Sequence, residues 1–125
     1  MIWIDLPEVL AIHGRQLDEH GGASGIRDDG LLESALARPR QLVANGKPDV
    51  CDLAAAYTAG IVQNHPFVDG NKRTGFIAGI LFLELNGPTF TASEADATQA
   101  VLGLAAGEIN DDEFASWLRS NSTPI

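Results

Sequence analysis

Apolar residues recur at spacings of three and four along most of this chain, broken by short polar segments of the kind on which helices start and stop. Asp5-Leu6-Pro7-Glu8 reads as a capping box with proline in the first turn. Val9, Leu10, His13, Leu17 and His20 then fall on one face, and Gly21-Gly22 closes the helix. Asp28 caps a short second helix with Leu31, Leu32, Ala35 and Leu36 inward, which Pro39 ends, leaving residues 39–50 as a loop. Asp49 starts a third helix whose Leu53, Tyr57, Gly60, Ile61 and Asn64 share a face. Pro66 restricts His65 to an extended backbone, so that helix stops at about His65.

The run from Asn71 to Asn86 contains Phe76, Ile77, Ile80, Leu81, Phe82, Leu83 and Leu85 and is apolar nearly all round, which predicts a buried central helix. Gly75 and Gly79 cost helix propensity there, so neighbouring helices are expected to pack close to them. Asn86-Gly87-Pro88 is a stop signal. Thr89–Thr91 reads as a short extended piece that could pair with Ile2–Ile4. Ser93 caps a fifth helix with Ala97, Ala100, Val101 and Leu104 inward, ended by Gly107. Asn110 and Glu113 box a sixth that buries Phe114, Trp117 and Leu118. The pattern therefore predicts an all-α fold, one domain over residues 1–125, with about six helices around the helix that follows residue 70.

Composition narrows the function. With 125 residues the chain can bury a core without a disulfide or structural metal. No apolar run reaches membrane-spanning length and no signal-peptide pattern is present. Cys51 is the sole cysteine, which excludes an internal disulfide and fits a cytoplasmic setting; in an Ala-rich helix it reads as a buried packing residue. Eight basic and 17 acidic residues give a net charge of −9, which argues against a nucleic-acid surface. Five of the eight cations, Arg38, Arg40, Lys47, Lys72 and Arg73, nevertheless lie between residues 38 and 73, and a locally basic site in an acidic protein suits a phosphorylated small ligand.

The candidate chemistry lies in His65-Pro66-Phe67-Val68-Asp69-Gly70-Asn71-Lys72-Arg73. Two cations in the first turn of a helix oppose its dipole, unless a bound anion draws them and the free N–H groups together. His65 is the one plausible general base in this loop, able to take a proton from a hydroxyl. Asp69 can hold a divalent metal through a carboxylate oxygen, or simply cap the next helix. Gly70 and Asn71 allow a tight turn against phosphate, Asn71 can donate from its amide, and Lys72 and Arg73 can neutralise phosphate charge in the transition state. Phe67 is expected to point inward as an anchor.

These nine residues resemble the signature of the Fic/Doc superfamily: His-x-Phe, an acidic residue, Gly or Ala, Asn, Gly or Lys, then Arg. Gly25-Ile26-Arg27-Asp28, Gly30-Leu31-Leu32-Glu33-Ser34-Ala35-Leu36 and Leu81-Phe82-Leu83-Glu84-Leu85-Asn86-Gly87 resemble flanking segments of the death-on-curing (Doc) toxins. The Fic branch has Gly at the position of Lys72 and transfers AMP from ATP, whereas the Doc branch has Lys and phosphorylates a threonine of elongation factor Tu. The resemblance thus implies the toxin of a type II toxin–antitoxin system that acts as a protein kinase. It implies a Mg²⁺ ligand at Asp69 and phosphate binders at Gly70, Asn71, Lys72 and Arg73, with His65, Lys72 and Arg73 carrying catalysis and ATP as phosphoryl donor. Lysine at position 72 is taken to reverse the nucleotide, so that its γ-phosphate meets the hydroxyl.

Fic proteins often silence themselves through a Ser/Thr-x-x-x-Glu helix, but no Ser or Thr here has Glu four positions later. Control then falls to a separate, Phd-like antitoxin that lays a helical segment in a groove, for which the first helix, with His13 and His20, is a candidate surface. Arg38 and Arg40 could contact nucleotide or target protein from the loop over the site, or be solvated charge, and Trp3 and Trp117 read as core. The alternatives are a Fic-type AMP or NMP transferase, and a non-catalytic module that only binds its antitoxin.

Overall fold

The computed structural model describes residues 1–124. Six helices, α1 (Leu6–His20), α2 (Asp29–Asn45), α3 (Val50–Asn64), α4 (Asn71–Leu85), α5 (Glu94–Ala105) and α6 (Asp111–Ser120), are joined by two short strands, β1 (Thr89–Phe90) and β2 (Ser122–Thr123). The all-α architecture expected from the pattern is therefore present. Its caps are the local ones: Asp28 accepts from Leu31 N (2.9 Å), Asp49 from Asp52 N (2.8 Å), Ser93 from Asp96 N (3.1 Å) and Asn110 from Glu113 N (2.8 Å), while Asp5 N donates to Glu8 Oε1 (2.8 Å). No helix among the described residues is long and apolar enough to cross a membrane.

One cluster of buried side chains draws on every helix. The helix after the motif shares the centre rather than holding it alone. Eleven of the fifteen residues of α3 are buried against seven of fifteen in α4, so α3 is the more deeply enclosed. Ala54, Ala55, Ala56, Ala59 and Gly60 make α3 slim enough for α2, α4 and α6 to surround it. Ile77 and Leu85, apolar positions on the far side of α4, remain partly exposed. The expected close approach at the glycines is found. A Cβ on Gly75 would lie 3.1 Å from the Thr58 carbonyl oxygen, and one on Gly79 would lie 2.9 Å from that of Ala54. Thr58 Oγ1 donates to the Gly75 carbonyl (2.8 Å), so the two backbones meet across a single hydroxyl.

Two expectations are corrected. The second helix does not end at Pro39 but runs to Asn45, so only a short connection precedes α3. Proline there removes the donor to the Ala35 carbonyl, yet its ring is buried. Gly60 of α3 approaches that same turn so closely that a Cβ would stand 3.1 Å from Ala35 O. Tertiary packing of the ring and this turn outweighs one missing hydrogen bond. Secondly, β1 pairs antiparallel with β2 near the C-terminus, Thr89 facing Thr123, and not with Ile2–Ile4. The N-terminal residues are bound instead by side chains: Asn86 exchanges two hydrogen bonds with Ile2 (2.7 and 2.9 Å), and Tyr57 OH bridges the Ile4 N–H and carbonyl (3.2 and 2.9 Å).

Arg38 and Arg40 also lie on α2 rather than in a loop. Arg38 bonds Asp111 and Gln63, and Arg40 pairs with Asp5 while stacking over Trp3, so both are structural. Trp3 and Trp117 pack against the core as expected. Arg119 of α6 forks onto Asp49 (2.8 and 3.2 Å) and reaches Asp52 (3.0 Å), tying the last helix to the start of α3.

Two measurements follow from this packing. Gly79→Ala should destabilise the fold by about 1–3 kcal/mol, read from urea unfolding, because the added methyl meets the Thr58 hydroxyl, which is held on the Gly75 carbonyl, and behind it the Ala54 carbonyl. Partial burial works to raise the Asp49 carboxyl, but the Arg119 guanidinium and the Asp52 N–H outweigh it and hold the carboxyl below its usual range. The group is thus more acidic folded than unfolded. Its stabilisation is complete above the unfolded pKa and is lost as pH falls through the folded value. Arg119→Met should flatten the unfolding midpoint below about pH 4. At a pair this exposed the effect at neutral pH should stay under about 1 kcal/mol.

Candidate active site

The motif forms the connection between α3 and α4, and much of its backbone is fixed by partners from elsewhere in the chain. The third helix ends at His65, whose N–H bonds Ile61 O (3.1 Å) and whose backbone is left-handed at φ 52°, ψ 54°. The extended conformation expected before Pro66 is therefore not adopted. The left-handed residue closes the helix with a terminal hydrogen bond, and the carbonyls of Asn64 and His65 are both taken up by Arg27. The imidazole of His65 is exposed.

Phe67 is fully buried, the anchor the sequence suggested. Its backbone exchanges two 2.9 Å hydrogen bonds with the Asn71 side chain, N–H to Oδ1 and Nδ2 to carbonyl. Asn71 is itself only 4% exposed. Its amide is therefore a clasp that closes the loop rather than a group presented to a phosphate, a correction to the role assigned it from sequence. What residue 71 can still offer an anion is its backbone N–H in the first turn of α4.

His13 was read as a packing or partner-contact residue, and the packing proves to be on the motif itself. Its ring stacks on Phe67 at 3.8 Å between centroids and 9° between planes. Its Nε2 lies 2.8 Å from the Asp69 carbonyl, and since a carbonyl only accepts, that nitrogen carries the proton. At 6% exposure it is unavailable to a partner protein. No spacing rule links residues 13 and 69; the isolated histidine on an apolar face was the signal available. Ala23 N donates to Asp69 Oδ2 (2.7 Å), so one carboxylate oxygen is held in place. Asp69 does not cap α4. That position belongs to Gly70, whose φ of 81° is the left-handed turn that favours glycine, with no side-chain cap.

Thr74 N to Gly70 O (3.0 Å) is the first bond of α4, so the N–H groups before it have no partner within the helix. Lys72 and Arg73 are both exposed and neither enters an ion pair among the described residues. Asp69, Gly70 and Arg73 meet across a cleft of about 260 Å³ from Gln16, Leu17, His20, Gly21 and Gly22 at the end of α1. Lys72, His65 and Asn71 do not line it. That volume is near the small end for ligand sites, enough for phosphate and a metal but not a whole nucleotide. A larger hollow between α2, α3 and α6 contains no motif residue. Cys51 is buried, and burial followed by the Asp49 charge pushes its thiol up, which makes it a poor nucleophile.

The class defined by this geometry is a helical domain that presents an exposed imidazole, a fixed carboxylate and a cationic helix start from one short loop. Residues 3–83 match the Fic/DOC family, and the chain belongs to that family. It is similar to "Protein kinase doc" of Escherichia phage P1, 35% identical over 115 residues that make up 90% of this chain and 89% of that protein. It is also similar to "Toxin Doc" of Mycolicibacterium smegmatis, 43% identical over 102 residues and 78% of each chain.

The clasp can be tested directly. Asn71→Leu keeps the volume but leaves the Phe67 N–H and carbonyl unpaired, and should cost about 2 kcal/mol or more in urea unfolding. Faster amide exchange should follow at residues 67–70. An unchanged exchange pattern would mean that the amide does not hold the loop.

Proposed function

We propose that this protein is the toxin of a toxin–antitoxin pair and a protein kinase that passes the γ-phosphate of ATP to a Ser or Thr hydroxyl of a translation factor. The resemblance of the motif to Doc toxins implies elongation factor Tu as that factor. The observation that carries the reading is the convergence of the Asp69 carboxylate, the Gly70 turn and Arg73 on one cleft, with the His65 imidazole exposed at the other end of the same loop. Its two relatives, one named a protein kinase and the other a toxin, support it.

In this reading the acceptor hydroxyl oxygen attacks the γ-phosphorus, the bond to the β–γ bridging oxygen breaks, ADP departs, and His65 takes the hydroxyl proton. The residues present fit a metal-bound phosphate. Asp69 has one oxygen fixed by Ala23 N–H, leaving the other for Mg²⁺, which is ordinarily held by one or two carboxylates and the substrate's own phosphates. The metal would supply charge neutralisation on those phosphates. Arg73, Lys72 and the unpaired N–H groups of α4 would bind and orient the anion, with Gly70 keeping side-chain bulk away. Lys72 is the residue expected to set which phosphate faces the acceptor, on the strength of the family resemblance. The antitoxin partner, Phd-like in this reading, would present a helical segment to the surface. His13 would not form part of that contact.

ATP labelled in parallel at the α- or γ-phosphate, with Mg²⁺ and a bacterial translation extract, tests this. Label from γ alone, on a protein the size of elongation factor Tu, is the expected result. Label from α alone would move the protein to nucleotidyl transfer. Absence of both, in folded protein, would leave antitoxin binding as its role. His65→Ala should lower transfer by about 10²–10⁴-fold and abolish toxicity; a variant as toxic as wild type would remove His65 from the mechanism.

A further inference from the structure

Three consecutive carbonyls at the end of α3 are all bonded by one dipeptide that precedes α2. Arg27 Nε donates to His65 O (2.7 Å) and Nη2 to Asn64 O (3.0 Å), while the backbone N–H groups of Arg27 and Asp28 both donate to Pro66 O (2.6 and 3.1 Å). His65 is the one non-glycine residue with positive φ among the described residues. Backbone conformations of this kind persist where the surroundings over-determine them, and they gather at functional sites. The exposed imidazole of His65 takes its direction from that backbone, so whatever fixes the turn aims the ring.

We propose that Arg27 is the positioning residue for His65, its guanidinium locking the left-handed turn from which the imidazole meets the substrate. This rests on the reading of His65 as the general base. The chemistry suits arginine in particular. The carbonyls ending a helix carry partial negative charge and lack donors. A planar guanidinium can bond two neighbouring carbonyls in one fixed fork, whereas a lysine ammonium is a single point charge on a flexible stem. Arg27 is exposed and belongs to no part of the buried cluster, so its loss leaves the core intact. It also differs from the phosphate-facing groups, which lie on the other limb of the loop: its carbonyl partners are residues 64 and 65, whereas the cleft is lined by Asp69, Gly70 and Arg73. The next residue, Asp28, caps α2 through Leu31 N, so the same dipeptide couples the start of one helix to the end of another.

The test compares full-length wild type with Arg27→Gln, Arg27→Lys and Arg27→Ala. Two readouts are taken: the kcat and KM of phosphate transfer from Mg-ATP, and the backbone chemical shifts and HN–Hα coupling of His65 by NMR. In Arg27→Gln and Arg27→Lys, kcat should fall on the order of tenfold to a hundredfold, the scale expected of a misplaced catalytic group. KM for ATP should stay at the wild-type value, and His65 should lose its left-handed signature. Added guanidinium ion should restore part of kcat to Arg27→Ala. A variant with wild-type kcat and an unshifted His65 overturns the proposal. So does a loss in which KM rises in step with a lowered melting temperature and guanidinium rescues nothing, since that is the mark of a loosened fold. If wild type transfers no phosphate at all, the kinase reading fails. The His65 signature then decides alone: retained in Arg27→Gln, it overturns the positioning role, and lost, it upholds it.

Discussion

The backbone-to-backbone approach of α3 and α4 is the constraint on which the rest of the molecule depends. Gly75 and Gly79 leave no room for a methyl against the Thr58 and Ala54 carbonyls, and Thr58 Oγ1 bonds the Gly75 carbonyl between them. The pairing of 54 with 79 and 58 with 75 sets the two helices antiparallel in a fixed register. The chain then has only residues 65–70 in which to reverse direction. That short turn joins the two ends of the motif, the imidazole at the close of α3 and the cationic first turn of α4, through six residues. Their separation is therefore limited by helix packing that begins about one turn beyond the motif.

A polar loop so tightly drawn cannot satisfy its own backbone. Phe67 sinks into the core and Asn71 closes over it, but the remaining groups are met from outside. His13 bonds the Asp69 carbonyl, Ala23 the Asp69 carboxylate, Gly25 the Val68 N–H, and Arg27 and Asp28 the carbonyls of residues 64–66. The first thirty residues thus act as a brace around the motif. That division explains why α1 is amphipathic in a way that places a histidine inward: its buried stripe must end on a polar loop, and an imidazole can stack on Phe67 with its face and donate from its edge.

What was legible in the sequence was local. Helix caps depend on residues three apart, and those at Asp28, Asp49, Ser93 and Asn110 formed where they were expected. The glycine contacts of α4 were legible because an expensive residue in an apolar helix needs a neighbour to justify it. Most of the misreadings are non-local, although the local rule by which Pro66 should hold His65 extended also failed. Pro39 should end a helix when only its missing donor is weighed; the burial of its ring against the core decides otherwise. Thr89 carries no sign that its partner is Thr123 rather than the N-terminus. Asn71 was recognisable as a motif residue, but the direction of its amide depends on Phe67 being pulled inward. The residues that hold the site from a distance, His13, Ala23 and Arg27, have no spacing relation to it.

The left-handed backbone of His65 makes the many ways of silencing this enzyme unequal. Any substitution deletes the imidazole, but β-branched replacements would also fight the turn, opening the end of α3 and blurring a chemical defect into a structural one. Asparagine is among the few non-glycine side chains at ease at positive φ. A His65→Asn chain would therefore keep the loop's shape while losing the imidazole proposed as its base. It is the natural form in which to trap a substrate or an antitoxin for crystallisation without a toxic preparation.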